Sequence, residues 1–112
     1  PRPPEEIVAE RAQARWDAMI ERDFRTAWQF YAPGFRQETP VDVFTDEFSR
    51  RPVRWIQSEI LDVSCAEKRC ETTAQVEYSV PSAPGELAGM QGKRNVSGVW
   101  IEIDGEWWYS SD

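Results

Sequence analysis

The sequence contains no histidine, only two cysteines, and no apolar run near the roughly 20 residues that a membrane-spanning helix needs. The absence of histidine excludes Ser-His-Asp and Cys-His nucleophiles, a histidine general base, and zinc or haem sites with histidine ligands. Two thiolates alone cannot complete a tetrahedral metal site, and the carboxylates lack the spacing of a calcium-binding loop. We therefore expect no metal and no cofactor.

Basic side chains are also scarce. The 112 residues include 13 basic and 20 acidic ones, which gives a formal net charge of −7. Because the basic residues are scattered and nucleic-acid binding needs them clustered, we expect no nucleic-acid partner. Hydrophobic residues still make up 40% of the chain, including six Trp, three Tyr and five Phe, which suffices for one core. We predict a linker remnant over residues 1–4 and a single domain over 5–112.

The first half of the chain has the patterns of helices. Apolar residues three and four apart predict an amphipathic helix over 5–22, after a proline-rich start. Asp23 is the predicted N-cap of a shorter second helix that ends before Pro33-Gly34. We expect a short strand over 35–39 and a third helix after Pro40.

The second half has the patterns of strands. Residues 53–65 and 70–80 alternate between apolar and polar, as half-buried strands do. An irregular connection over 81–92 and a strand over 93–103 follow, and Asp104-Gly105 predicts a tight hairpin turn into a last strand from Glu106. The predicted order is α-α-β-α-β-β-β-β: an α+β domain whose N-terminal helices pack on a strongly curved, mainly antiparallel sheet.

The two cysteines flank a four-residue polar stretch between the first two of these strands. Cys65 and Cys70 would therefore face each other across a hairpin, within the range of a disulfide. A disulfide implies an oxidising compartment, so we expect a periplasmic or secreted protein whose signal or anchor has been cleaved. The alternative is a pair of free thiols in a cytoplasmic protein.

This order of elements resembles the nuclear transport factor 2-like superfamily, which includes ketosteroid isomerase, scytalone dehydratase and SnoaL-like cyclases. The resemblance covers nearly the whole chain. It depends on the long first helix with Trp16, the segment Phe30 to Phe35, residues 53–63, and the final hairpin over 98–108. It implies a cystatin-like cone, in which the sheet curves around a pocket and the helices cover it. It also implies dimers, which in this superfamily often form through the outer face of the sheet. No motif transfers a catalytic residue to this sequence.

Seven large aromatic residues fall on faces that we expect to point inward. They would line a pocket for a flat apolar ligand, or else simply fill the core. The seven are Trp16, Trp28, Tyr31, Phe44, Trp55, Tyr78 and Trp100.

Acid–base chemistry is the alternative use of this interior. Tyr31 or Tyr78 would polarise a carbonyl, and a buried carboxylate such as Asp42 would transfer the proton. The periodicity of the third helix places Asp42 away from its apolar side, which favours a solvated carboxylate instead.

The last strand carries two adjacent tryptophans. Because consecutive strand residues point to opposite faces, burying Trp107 leaves Trp108 outside, or the reverse. An outward aromatic on a sheet is typical of an interface. We therefore favour a non-catalytic, exported interaction domain, a homodimer or the partner of an envelope protein, that binds a protein or a small apolar ligand. The alternative is a lyase or isomerase that works by proton transfer.

Overall fold

In the computed structural model, which describes residues 1–81, 85 and 89–111, four helices precede a four-stranded sheet. The helices are α1 (Pro4–Ile20), α2 (Phe24–Trp28), α3 (Pro33–Glu38) and α4 (Val41–Ser49). The strands are β1 (Arg54–Ala66), β2 (Arg69–Val80), β3 (Met90–Ile103) and β4 (Glu106–Ser110). Neighbouring strands are antiparallel and lie in the order β1-β2-β3-β4. The predicted α+β class is confirmed.

The starts of the first two helices follow from local chemistry. Pro4 occupies the first turn of α1, where its missing N–H costs nothing, and Glu5 and Glu6 follow it. The predicted cap at Asp23 is confirmed, because its carboxylate accepts a hydrogen bond from the Thr26 N–H at 3.2 Å. No described helix is long and apolar enough to cross a membrane.

The strand predicted over 35–39 is wrong, because these residues belong mainly to α3. Pro33 starts this helix rather than only ending the previous one, since its fixed φ suits a first helical turn. The ring of Phe35 packs edge-on against Tyr31, 4.8 Å between centroids. The Arg36 side chain donates to the Tyr31 carbonyl at 2.9 Å. These contacts favour the helix over an extended segment.

The sheet buries one face and exposes the other. Along β2, Cys70, Thr72, Ala74 and Val76 are buried and alternate with residues that are exposed or half-buried. We call the face that carries these four the inner face, and α1 packs on it. In β1 the alternation shifts at two irregularities, between Trp55 and Gln57 and between Ile60 and Asp62.

Of the two predicted connections between strands, one is confirmed and the other is shorter than predicted. Asp104 and Gly105 form the two-residue turn that the sequence predicts, with φ of 52° and 83°. The irregular connection predicted over 81–92 is shorter, because β3 already begins at Met90, which pairs with Val80. Residues 82–84 and 86–88 of this prediction lie outside the described residues.

The edge of β4 is closed by the segment between α2 and α3. The Tyr109 N–H donates to the Phe30 carbonyl at 2.7 Å, and the Ala32 N–H donates to the Tyr109 carbonyl at 3.0 Å. This parallel bridge brings Tyr31 beside Tyr109. The segment therefore fixes Tyr31 in the interior between helices and sheet.

Candidate functional site

The seven aromatic residues predicted to line a pocket do not share one environment. Trp16, Tyr31, Phe44 and Trp100 are buried, while the other three are half-buried. Trp16 stacks edge-on against Trp55 at 5.8 Å, and Tyr31 does so against Phe44 at 5.0 Å. Trp28 donates its indole N–H to the Thr39 carbonyl at 2.8 Å. Tyr78 lies directly over Gly92, where a Cβ would come within 2.7 Å of its hydroxyl oxygen.

Six of these rings pack into two hydrophobic clusters between the helices and the sheet, whereas Tyr78 belongs to neither cluster. A cavity of about 10 Å³ remains beside Trp16, Trp100 and Tyr109 on the inner face. That is close to the least volume that holds one water molecule. In this conformation the cavity is too small for a flat apolar ligand.

The predicted acid–base residues lie in different places. Tyr31 is buried, and burial raises the pKa of its phenol, although the adjacent Arg15 cation opposes that shift. Asp42 lies on α4 with 94% of its side chain exposed, 3.9 Å from Arg25. Every Asp and Glu in the described part of the chain is exposed or half-buried. Tyr31 and Tyr78 therefore have no buried carboxylate beside them within these residues.

Arg15 is the interior residue that the sequence reasoning missed. Its side chain is buried, with 7% exposed, and one guanidinium N–H donates to the Tyr31 hydroxyl at 2.9 Å. The guanidinium carbon lies 3.8 Å from the centroid of the Tyr109 ring. The Arg15 Nε atom is buried without a hydrogen-bond partner among the described residues. The sequence did contain a sign that Arg15 is buried, because Arg15 lies three residues after Ala12 and four before Met19, on the apolar side of α1.

The two adjacent tryptophans of β4 point to opposite faces. Trp107 is buried against α1 and Trp100, whereas Trp108 is half-buried and pairs with Ile101 on the outer face. Two guanidinium groups contact the Trp108 ring: that of Arg36 is 4.9 Å from its centroid and that of Arg11 is 5.5 Å away. Burial lowers the pKa of Arg11, and the charge of Glu106 partly offsets this.

Three further apolar side chains lie at this end of the sheet, and one of them, Ile101, pairs with Trp108. Ile101, Ile103 and Phe35 line a groove of about 490 Å³ between α3 and the outer face of the sheet. Ile103 is 38% exposed. We call Phe35, Ile101, Ile103 and Trp108 the outer patch. It combines an exposed apolar side chain with a groove whose lining also includes the polar residues Glu38, Thr39 and Ser110.

The two cysteines form a disulfide, as the sequence predicts. Cys65 and Cys70 pair directly across the β1–β2 hairpin, with their Cα atoms 4.0 Å apart. Cys70 is fully buried beside Trp100, its partner on β3. The disulfide therefore fixes the register of the hairpin that carries the inner-face residues of β2.

The comparisons with known proteins find similar structures but no similar sequences. No protein-family model matches the chain, and no curated protein matches it by sequence. A SEC-C motif containing protein from Rhodopseudomonas palustris has a similar structure, with a TM-score of 0.67 and 15% identity. That match covers 90% of this chain and 73% of the other.

Two further similar structures have names that refer to this superfamily or to an enzyme. An NTF2-like transpeptidase from Campylobacter jejuni has a TM-score of 0.63 at 9% identity, over 92% of this chain and 96% of that one. An LEH-like epoxide hydrolase from M. tuberculosis has a TM-score of 0.62 at 13% identity, over 98% of this chain and 80% of that one. Such low identities establish a shared fold and no shared activity. The chain therefore has the nuclear transport factor 2-like fold.

Proposed function

We propose that this protein is a non-catalytic interaction domain that binds a second copy of itself through the outer patch. The observation that carries the proposal is the filled interior. Aromatic rings occupy the space where a cone-shaped domain would hold a ligand, and the cavity beside Trp16, Trp100 and Tyr109 in the described part of the chain measures about 10 Å³. Because this cavity among the described residues is too small for a flat apolar ligand, we propose that the domain acts through its surface.

The same interior disfavours the lyase or isomerase alternative. Proton transfer needs a general base within hydrogen-bond reach of the substrate. The only hydrogen bond that the Tyr31 hydroxyl makes within the described residues is with Arg15, a cation that cannot act as a base. Asp42, the predicted base, is exposed on α4. We therefore propose no proton-transfer chemistry for this site.

The outer patch is the surface that best fits a protein partner. Aromatic side chains and arginine are the residue types enriched where protein interfaces gain most of their affinity. The Trp108 ring contacts the guanidinium groups of Arg11 and Arg36 and pairs with Ile101, which lines the same groove as Ile103. The molecule measures 51 by 30 by 20 Å, so its broad side has room for the about 800 Å² per partner of a standard interface.

A second copy of this chain is the partner that we favour. A two-fold interface uses one patch twice, so the patch must complement itself. The outer patch has both parts that this requires: the groove beside Phe35 receives an apolar group, and Ile103 supplies one. Two ion pairs lie elsewhere on the outer face, Lys93 with Glu77 and Arg69 with Glu71. These pairs reduce the repulsion between two copies of a chain with net charge −7.

We also propose an exported location, periplasmic or secreted. The disulfide between Cys65 and Cys70 supports it, because such bonds persist in oxidising compartments and are rare in the cytoplasm. Mass spectrometry of protein alkylated at the moment of cell lysis tests this. An unalkylated chain agrees with export, and a doubly alkylated chain contradicts it.

Sedimentation equilibrium of two matched variants tests the proposed dimer. Ile103→Lys places a charge in the outer patch, and Ile56→Lys does the same on β1 at a comparable exposure of 43%. We expect the wild type and Ile56→Lys to dimerise and Ile103→Lys to be weakened by at least tenfold in its dimer dissociation constant. A monomeric wild type, or equal dissociation constants for both variants, contradicts the proposal.

A further inference from the structure

Arg11 has hydrogen-bonding capacity that the proposed dimer does not use. Its side chain is half-buried on α1, and this burial lowers its pKa because water solvates the cation less fully. No side-chain hydrogen bond or ion pair within the described residues involves Arg11. Its Nε atom is buried without a partner there. A guanidinium only donates hydrogen bonds, so this one lacks an acceptor in the described part of the chain.

Aromatic rings hold this guanidinium in place. Its central carbon lies 4.9 Å from the ring centroid of Phe30, 5.5 Å from that of Trp108 and 5.8 Å from that of Trp100. Ring faces attract a cation, but they do not replace the oxygen acceptors that its N–H groups prefer. The rings therefore restrict the Arg11 side chain in advance, which reduces the entropy that it would lose when it binds an anion.

Arg11 itself lines a solvent-open groove of about 500 Å³, which we call the Arg11 groove. Ile7 and Arg11 reach the groove from successive turns of α1, because residues four apart share one face of a helix. Its volume is within the range of roughly 300–1,000 Å³ that is typical of small-molecule sites. The other lining residues come from the segment after α2 and from the β3–β4 hairpin: Gln29, Phe30, Gly105, Glu106, Trp107 and Trp108.

We propose that the Arg11 groove binds a small aromatic monocarboxylate, whose carboxylate pairs with the Arg11 guanidinium. A carboxylate presents two oxygens to adjacent N–H groups of a guanidinium, and such a pair is stronger where water is partly excluded. The ring of the ligand packs against the apolar part of the lining, which includes Ile7, Phe30 and Trp108. The site lies on the surface and needs no space in the filled interior.

Glu106 restricts the charge of the ligand. It lines the same groove, and its charge partly offsets the burial that lowers the pKa of Arg11. The two groups are still too far apart to form an ion pair. Arg11 balances the single charge of a monocarboxylate, whereas a phosphate or a dicarboxylate brings further negative charge toward Glu106. The groove therefore favours ligands with one negative charge.

The test is a titration of the whole chain with sodium benzoate at constant ionic strength, followed by NMR of the arginine Nε–H and tryptophan indole N–H groups. Benzamide is the matched control, because it has the same ring and no charge. We expect saturable shifts of Arg11 and Trp108 with benzoate and none with benzamide, while Arg54 on β1 stays unchanged. Linear shifts, equal shifts with benzamide, or shifts shared by all arginines overturn the proposal.

Two pairs of variants separate the site from general effects of charge. Arg11→Gln and Arg54→Gln each remove one positive charge, but only Arg11 lines the groove. We expect the dissociation constant for benzoate to rise about tenfold or more in Arg11→Gln and to stay unchanged in Arg54→Gln. The exposed Glu106→Gln should lower it about threefold, and Glu59→Gln on β1 should not. Equal effects within either pair overturn the proposal.

The site goes beyond the proposed dimer and does not rest on it. The Arg11 groove shares Trp108 with the outer patch, but Phe35, Ile101 and Ile103 do not line it. Benzoate binding to Ile103→Lys, the variant with the weakened dimer, therefore separates the two proposals. We expect the same dissociation constant for benzoate as in the wild type. Loss of benzoate binding in Ile103→Lys would overturn a site in this groove, whatever the oligomeric state.

Discussion

Tyr31 is a buried titratable side chain of the interior, and its ionisation couples to stability. Burial raises the pKa of its phenol in the folded state above the ordinary value of 10.0, with the Arg15 cation acting in the opposite direction. The folded protein therefore holds this proton more tightly than the unfolded chain does. The stabilisation is complete below pH 10 and is lost as the pH rises through the folded-state pKa.

We expect the free energy of unfolding to fall as the pH rises above about 10, and part of that fall to be absent in Tyr31→Phe. Urea unfolding of the wild type and the variant, measured from pH 8 to 11.5, checks this. The difference between the two proteins isolates Tyr31 from the other groups that titrate in that range. Parallel curves for the two proteins would contradict the assignment.

At the residue scale, the sequence predicted the burial of the aromatic side chains better than it predicted their neighbours. The buried positions of Trp16, Tyr31, Phe44 and Trp100 agree with their expected inward orientation. The partner of Tyr31 could not be predicted, because Arg15 and Tyr31 lie on different elements and meet only after those elements pack. A charged residue on the apolar side of α1 was the readable sign.

At the scale of single elements, the β3–β4 turn requires glycine and α3 does not. Gly105 has φ of 83°, a left-handed conformation that costs other residues about 1 kcal/mol or more. Gly34 lies inside α3 with open space around it. We expect Gly105→Ala to lower the free energy of unfolding by about 1 kcal/mol and Gly34→Ala to raise it by about 0.5 kcal/mol. Urea unfolding checks both, and the same sign for both variants would contradict the assignment.

The β1–β2 hairpin depends on its disulfide for register more than for global stability. Because the bond between Cys65 and Cys70 closes so short a loop, the chain-entropy estimate of its contribution is about 2 kcal/mol. We expect the double variant Cys65→Ala/Cys70→Ala to stay folded and to lose about that much. Amide hydrogen exchange should quicken first between Ser64 and Glu71. A variant that unfolds completely, or whose exchange rises evenly along the chain, would contradict this role.

Elements were predictable where local chemistry alone decides them. The Asp23 cap, the Asp104-Gly105 turn and the facing cysteines depend on a few neighbouring residues, and all three are confirmed. The strand prediction over 35–39 was wrong because the conformation of this segment depends on distant partners. Phe35 packs against Phe44 of α4 at 6.1 Å, and Arg36 reaches across to Trp108 of β4. A five-residue pattern contains neither contact.

At the scale of the whole molecule, the order of elements predicted the fold although single motifs were weak. Helices followed by an antiparallel sheet leave few ways to bury one face of each, and the helix-on-sheet layer is the observed one. The filled interior was not predictable from the sequence. Whether rings enclose a cavity or fill it depends on how closely α1 approaches the sheet, which hydrophobic periodicity does not encode.

The central claim is that the outer patch binds a second copy of the chain. The most direct measurement is isotope-filtered NMR on an equal mixture of labelled and unlabelled protein, which detects only contacts between two copies. We predict intermolecular contacts between the methyl groups of Ile103 and the ring of Phe35, lost in Ile103→Lys and retained in Ile56→Lys. A sample at millimolar concentration without intermolecular contacts at Phe35, Ile101, Ile103 and Trp108 would contradict the account.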